Sequence, residues 1–229
     1  MYEFRAGEPR IEIGLKADRS FPLWSYGSYV ARVDSYYRKL SIVDRICQLK
    51  IRGIDDSDLV IAMASVQLFP EAEIEYADFQ RFVNLTSKSE DPREFWHEIE
   101  IRERPAVFYK DGPRYIPILS LREGTLDLNN AVIKSPGEFS ISGFASFLIS
   151  LFFSGREDQR RQELHQIAVS EGMMRQLREM ADLAIKLEDP RLPPGVRRYA
   201  LEVFKQVVER HRRDLLRLGI RIVAIDLYA

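Results

Sequence analysis

The sequence predicts an α+β fold: a central, mostly antiparallel sheet covered by helices, with a helical C-terminal third that ends in a strand. Three observations predict it. Short alternating apolar segments with glycine-containing turns cluster before residue 135, helical periodicity dominates from 138 to 218, and a last apolar run, Ile220 to Leu227, follows Gly219. Strands that precede helices instead of alternating with them argue against a doubly wound parallel sheet. The 229 residues fit a single domain over 1–229, since domains usually run about 50 to 250 residues. Its expected parts are a strand-rich core over about 1–135, a helical region over about 138–218 and a terminal strand over 220–227.

Ile11, Ile13 and Leu15 alternate with charged or small residues, which predicts a half-buried strand over 8–17. Pro22 suits a first helical turn. Tyr26, Tyr29, Val30, Val33, Tyr36, Tyr37 and Leu40 then recur at helical spacing, continued by Val43, Ile46 and Cys47. This face gives one long helix or two broken near Ser41. Gly53 to Asp58 is a turn, and Leu59 to Gln67 reads as a short strand. Residues 70–88 are ambiguous between helix and strand, and 87–92 read as an exposed loop.

Ile99 and Ile101 alternate with Glu98 and Glu100, which predicts another strand. Ala106–Tyr109 and Tyr115–Leu121 flank Lys110-Asp-Gly-Pro113, a hairpin signal. A second hairpin turning at Arg122-Glu-Gly124 would lead into a strand over 125–132. The helical third comprises the apolar stretch 139–153, a charged helix over about 157–187, a Pro-containing linker over 188–194 and a helix over about 196–218. Gly219 ends that helix. Ile220 to Leu227 carries apolar residues at both parities, the pattern of an inner strand.

The stretch from Phe139 to Gly155 carries no charge in a chain whose composition is 30% charged. It is shorter than the roughly 20 apolar residues that span a bilayer. Ser142, Ser146, Ser150 and Ser154 recur every four residues, a small stripe on which helices pack closely. The expectation is a buried helix laid across the sheet. The alternative is a membrane-associating segment presenting Phe144, Phe147, Leu148 and Leu151.

Composition narrows the function. A formal net charge of −1 disfavours a dedicated nucleic-acid binder, yet charge is unevenly spread: Asp55 to Arg104 holds 13 acidic and 5 basic residues, and Arg197 to Arg221 holds 8 basic and 3 acidic. Such fields steer polar partners or another copy of the chain. One cysteine, Cys47, makes no internal disulfide, and Glu3, Arg5, Glu8, Arg10, Glu12 and Lys16 break any apolar targeting core. Both point to a cytoplasmic location.

No glycine-rich phosphate loop and no G-x-S-x-G elbow occurs in the sequence, and no cofactor or metal is expected. Asp55, Asp56 and Asp58 resemble part of a calcium loop but lack its glycine and distal glutamate. The best catalytic candidates are His97, Glu98 and Glu100, a histidine beside carboxylates that suits general acid–base or metal chemistry. On a strand, Glu98 and Glu100 would share one face and His97 the other. Trp24 and the tyrosines between Arg32, Arg38 and Lys39 are read as core-facing. His211, beside an apolar stripe, is read as a satisfied boundary residue. Met173, Met174 and Met180 offer adaptable apolar surface, and with Arg210 and Arg213 they are the expected partner-facing residues. The function these features favour is a non-enzymatic protein-interaction or oligomerisation component of an intracellular assembly. The alternatives are the membrane-associating protein and a small metal-dependent hydrolase or nuclease.

Overall fold

The computed structural model describes residues 10–18, 22–62, 74–75, 91–112, 114–119, 126–132, 138–153 and 183–228. It is an α+β protein with antiparallel strand pairing and a C-terminal helix followed by a strand. The described strands form two four-stranded sheets, ordered β6-β7-β1-β8 and β2-β4-β5-β3. The elements are β1 (Arg10–Ala17), α1 (Leu23–Ile51), β2 (Leu59–Ala62), β3 (Ile74–Glu75), α2 (Pro92–Ile101), β4 (Ala106–Asp111) and β5 (Arg114–Pro117). They continue with β6 (Asp127–Val132), β7 (Glu138–Phe144), α3 (Ala145–Phe153), α4 (Leu183–Leu187), α5 (Pro194–Leu218) and β8 (Ile220–Tyr228). The fold clusters into two compact units, each assembled from separated stretches: described residues within 1–34, 126–183 and 208–229, and within 35–125 and 184–207.

In the first unit β1 is central. It pairs antiparallel with β7 on one side, Ile13 opposite Ile141, and with β8 on the other, Ile13 opposite Ile225. Ile11, Ile13, Leu15 and Ala17 are fully buried, as their alternation predicts. Arg10, Glu12 and Lys16 lie on the opposite face, where Arg10 pairs with Asp127 at 2.5 Å and Lys16 pairs with Glu138. Every residue of α3 is buried.

The apolar stretch is thus core, but only half of it is helix. Phe139–Phe144 belongs to strand β7 and the chain turns helical at Ala145. Phe144, Phe147, Leu148 and Leu151 are all buried, and no helix among the described residues is long and apolar enough to cross a membrane. The serine stripe serves the helix ends: the Ser150 hydroxyl donates to Ser146 O at 2.7 Å and accepts from the Leu183 N–H at 3.0 Å. Ser154 lies outside the described residues.

His211 is fully buried in this unit, not a boundary residue. A backbone carbonyl only accepts, so the 3.0 Å contact between His211 Nδ1 and Leu151 O places the ring proton on Nδ1. Nε2 then accepts from the Tyr29 hydroxyl at 3.2 Å. The histidine thus bonds a carbonyl in the last described turn of α3. Phe152 meets the ring edge to face at 4.5 Å, and Phe139 packs against Tyr29 at 6.0 Å. Burial holds the imidazole well below its ordinary 6.5, at about 4, against the opposing pull of Leu151 O and Asp214.

The terminal strand returns the chain to the sheet as expected, but among the described strands it lies at the edge. The register with β1 shifts between Gly14 and Leu15: Gly14 faces Ala224, Leu15 faces Ile222, and Val223 is the extra, bulged residue. A Cβ on Gly14 would sit 3.2 Å from the Ala224 Cβ, so glycine there allows the close approach. The bulge changes the parity of β8, which is why apolar residues occupy both parities of a strand that is not an inner one.

In the second unit the expected hairpin forms, with β4 and β5 antiparallel and Asp111 opposite Arg114. The second expected hairpin does not: β6 pairs with β7 in the other sheet, and residues 122–124 lie outside the described ones. Helix α1 is continuous past Ser41, whose hydroxyl donates to Tyr37 O at 3.1 Å.

Candidate functional site

The segment predicted as a strand through Ile99 and Ile101 is helix α2. Asp91 caps it, its side chain accepting from Arg93 N at 2.8 Å, Pro92 stands in the first turn and Glu94 three residues after the cap adds a negative charge there. Trp96 and Ile99 are its buried residues, at the i, i+3 spacing of a helical face. That capping signature outweighs a two-residue alternation, which is too short to define a strand.

The C-terminal end of α2 is fixed by cations from α1. Lys39 Nζ donates to Glu100 O at 2.7 Å, Ser35 donates to Glu103 O, and Arg38 Nε donates to Pro105 O at 3.1 Å. Lys39 and Arg38 are buried. The Lys39 charge meets a carbonyl of the last helical turn, at the negative end of α2, and Arg38 meets the Pro105 carbonyl in the segment that follows the helix. Arg32, the third cation of the aromatic helix, bonds Asp214 Oδ2 at 2.8 Å and Ser28 Oγ at 2.8 Å. Trp24 differs from its core-facing companions: it is 74% exposed.

Helix α5 begins after a linker braced by Asp189, whose carboxylate binds the Arg191 guanidinium at 2.7 Å and whose carbonyl accepts from Arg197 Nη2 at 3.1 Å. Hydrogen bonds from Arg191 hold the Asp189 carboxyl below its ordinary value, at about 2. Arg93 of α2 reaches Tyr199 of α5, and Glu100 of α2 reaches Gln206, so both contacts span the same sequence offset. The two helices therefore run parallel through this stretch.

Between them lies an open cleft of about 350 Å³. Arg93, Arg198 and Tyr199 line one end, Trp96 and Val203 form the apolar floor, and His97, Glu202 and Glu100 line the rest. At the basic end two guanidiniums converge on one hydroxyl: Arg93 Nε donates to Tyr199 Oη at 3.2 Å and Arg198 Nη2 donates at 2.8 Å. The Arg198 guanidinium also lies over the Tyr199 ring, 4.7 Å from its centre. The hydrogen bond from Arg93, with a smaller contribution from Arg198, draws the phenol below its ordinary value of 10. Seven residues along α2, about 10 Å at 1.5 Å per residue, Glu100 accepts from the Gln206 amide at 3.1 Å with that amide turned toward it.

Of the catalytic candidates, the fold brings two together and removes the third. His97 and Glu100 share a helical face in the cleft, Nδ1 to Oε2 3.6 Å, a reversal of the opposite-face arrangement a strand would give. Glu98 turns away and binds Arg102 Nε at 2.6 Å. No group of three or more His, Cys, Asp or Glu side chains is placed to hold a metal among the described residues. Asp55 caps a short 3₁₀ turn and Asp56 pairs with Lys50 at 2.6 Å, so these two of the calcium-like aspartates hold the chain's own groups.

Of the partner-facing residues, Met173, Met174 and Met180 lie outside the described residues. Arg213 is exposed and sits 3.9 Å from the Glu209 carboxylate on its own helix, while Arg210 is half-buried. Arg93, Arg198, Tyr199 and Glu202 escaped the sequence reading because two helices about a hundred residues apart must meet before they form a cleft. Compared with protein-family models, characterised proteins and solved structures, the chain matches none.

Proposed function

We propose that the protein is a non-enzymatic interaction component of a cytoplasmic assembly and that the α2–α5 cleft is where a partner is held. The observation that carries this reading is the cleft itself: an open concavity with an apolar floor and charges of both signs. Capped and tethered helices present these groups in fixed positions, which lowers the ordering cost of association. Buried Cys47 agrees with a reducing compartment. The membrane-associating alternative would require Phe144, Phe147, Leu148 and Leu151 to leave the core, at a cost of roughly 1.5–3 kcal/mol for each buried side chain.

The experiment is native mass spectrometry of the purified protein, alone and after incubation with cell extract, for wild type and Glu202→Arg. A multimer or hetero-complex formed by wild type and lost in a folded variant supports the reading; identical spectra for the two oppose it. His97 and Glu100, brought into the cleft, favour a second reading as an acid–base pair of a hydrolase. A hydrolytic activity abolished by Glu100→Gln without loss of fold would put that reading first.

A further inference from the structure

The basic end of the cleft is built to receive an acceptor. Each guanidinium carries five N–H donors in a planar fork, and Arg93 and Arg198 each direct one of them at Tyr199 Oη. That oxygen accepts twice, and among the described residues its own proton has no acceptor. Two forks and one hydroxyl are thus gathered at a single point on a cleft wall. Because α2 and α5 run parallel here, both begin at this end, at Pro92 and Pro194, and their dipoles add to the positive field.

We propose that Arg93, Arg198 and Tyr199 form a carboxylate-binding subsite that takes an acidic residue of a partner polypeptide. The proposal rests on the interaction reading only for the source of the carboxylate. Planar guanidinium forks match a carboxylate in bidentate geometry, and the hydroxyl supplies a third donor. Glu202, one helical turn from Arg198, and Glu100 beyond it carry negative charge along the same cleft. They oppose a dianion such as phosphate more strongly than a monoanion, and they suit a basic or amide group next to the bound acid.

The test uses full-length Trp24→Phe protein, which leaves Trp96 on the cleft floor as the only tryptophan. Its fluorescence is followed during titration with acetyl-Ala-Glu-Ala-amide, the neutral acetyl-Ala-Gln-Ala-amide and inorganic phosphate. The expected result is saturable binding of the glutamate peptide about tenfold or more tighter than the glutamine peptide, the size of a charge-assisted pair. Arg93→Gln with Arg198→Gln should bring that ratio to about one, and Arg93→Lys should restore part of it. Equal binding of the two peptides overturns the proposal, as does an unchanged ratio in a double variant with wild-type circular dichroism. Tighter binding of phosphate than of the glutamate peptide overturns the carboxylate assignment. If the double variant still assembles with the partner that Glu202→Arg loses, this subsite is wrong while the interaction reading stands. If the peptide ratio is as expected and no partner is found, the reverse holds.

Discussion

Replacing His211 by glutamine should remove an acid-dependent loss of stability that the wild-type protein shows between about pH 6.5 and pH 4. The imidazole is fully buried, donates to Leu151 O and accepts from Tyr29, and is held near 4 in the folded chain. In the unfolded chain it titrates near its ordinary 6.5. Above that value both states hold a neutral ring and the full stability is present. As pH falls, the unfolded chain binds a proton that the folded chain refuses, so stability drops until the buried ring itself is protonated. Each pH unit of separation is worth about 1.36 kcal/mol, so the whole window costs about 3 kcal/mol. Urea unfolding of wild type and His211→Gln at pH 7 and pH 4.5 measures it. The variant begins less stable at pH 7 by about 1–3 kcal/mol, because the Leu151 and Tyr29 groups lose an ideal partner, but its curve should be flatter with acid. His97 and His165 are common to both proteins and cancel in the difference. Parallel curves for the two proteins, or a native His211 resonance that titrates near 6.5, would refute the reasoning.

Phe147 is 1% exposed on a helix buried on every side, so Phe147→Ala should cost about 3–5 kcal/mol by urea unfolding. Phe147→Asp should fail to fold; a folded aspartate variant that loses liposome binding would instead show that the segment serves lipid. Tyr199 should ionise before a free tyrosine because Arg93 and Arg198 donate to its oxygen; the difference in ultraviolet titration between wild type and Tyr199→Phe isolates it. The stability this contributes grows as pH rises through the depressed value toward 10, is full above 10 and is absent at neutrality, so Tyr199→Phe should leave the pH 7 unfolding midpoint almost unchanged. Burial, and next to it the Asp44 charge, push the Cys47 thiol far up, so the native protein should not react with a thiol reagent that modifies it readily in urea.

Much of the fold was legible where a single periodicity ran long enough. β1 showed its alternation, α5 its stripe from Val196 onward and its glycine stop, whose φ is +56°, and β4–β5 their turn. Legibility failed where a pattern was too short or too uniform. Ile99 and Ile101 mimic a strand over three residues, although Asp91-Pro92 with Glu94 announces a helix start. From Phe139 to Phe153 nearly every position is apolar or small, so no period separates the strand from the helix, and only pairing with β1 divides them at Ala145. β8 misled because one bulged residue, Val223, shifts its parity. The cleft was half legible: His97 and Glu100 stand close in sequence, whereas their companions Arg198, Tyr199 and Glu202 join them only through tertiary packing.

The placement of β1 has a consequence for how the chain is born. Its two neighbours are β7, ending at Phe144, and β8, ending at Tyr228, so among the described strands the earliest in the chain waits for the latest. At roughly 5–20 residues per second, about 10–40 s separate the synthesis of Ala17 from that of its partner Ile220. During that interval Ile11, Ile13 and Leu15 have no completed sheet to enter, and a nascent chain halted before residue 220 offers them to chaperones or to other unfinished copies. Shortening that wait, by circular permutation that brings β8 ahead of β1, should raise the soluble yield without altering a single contact of the finished sheet.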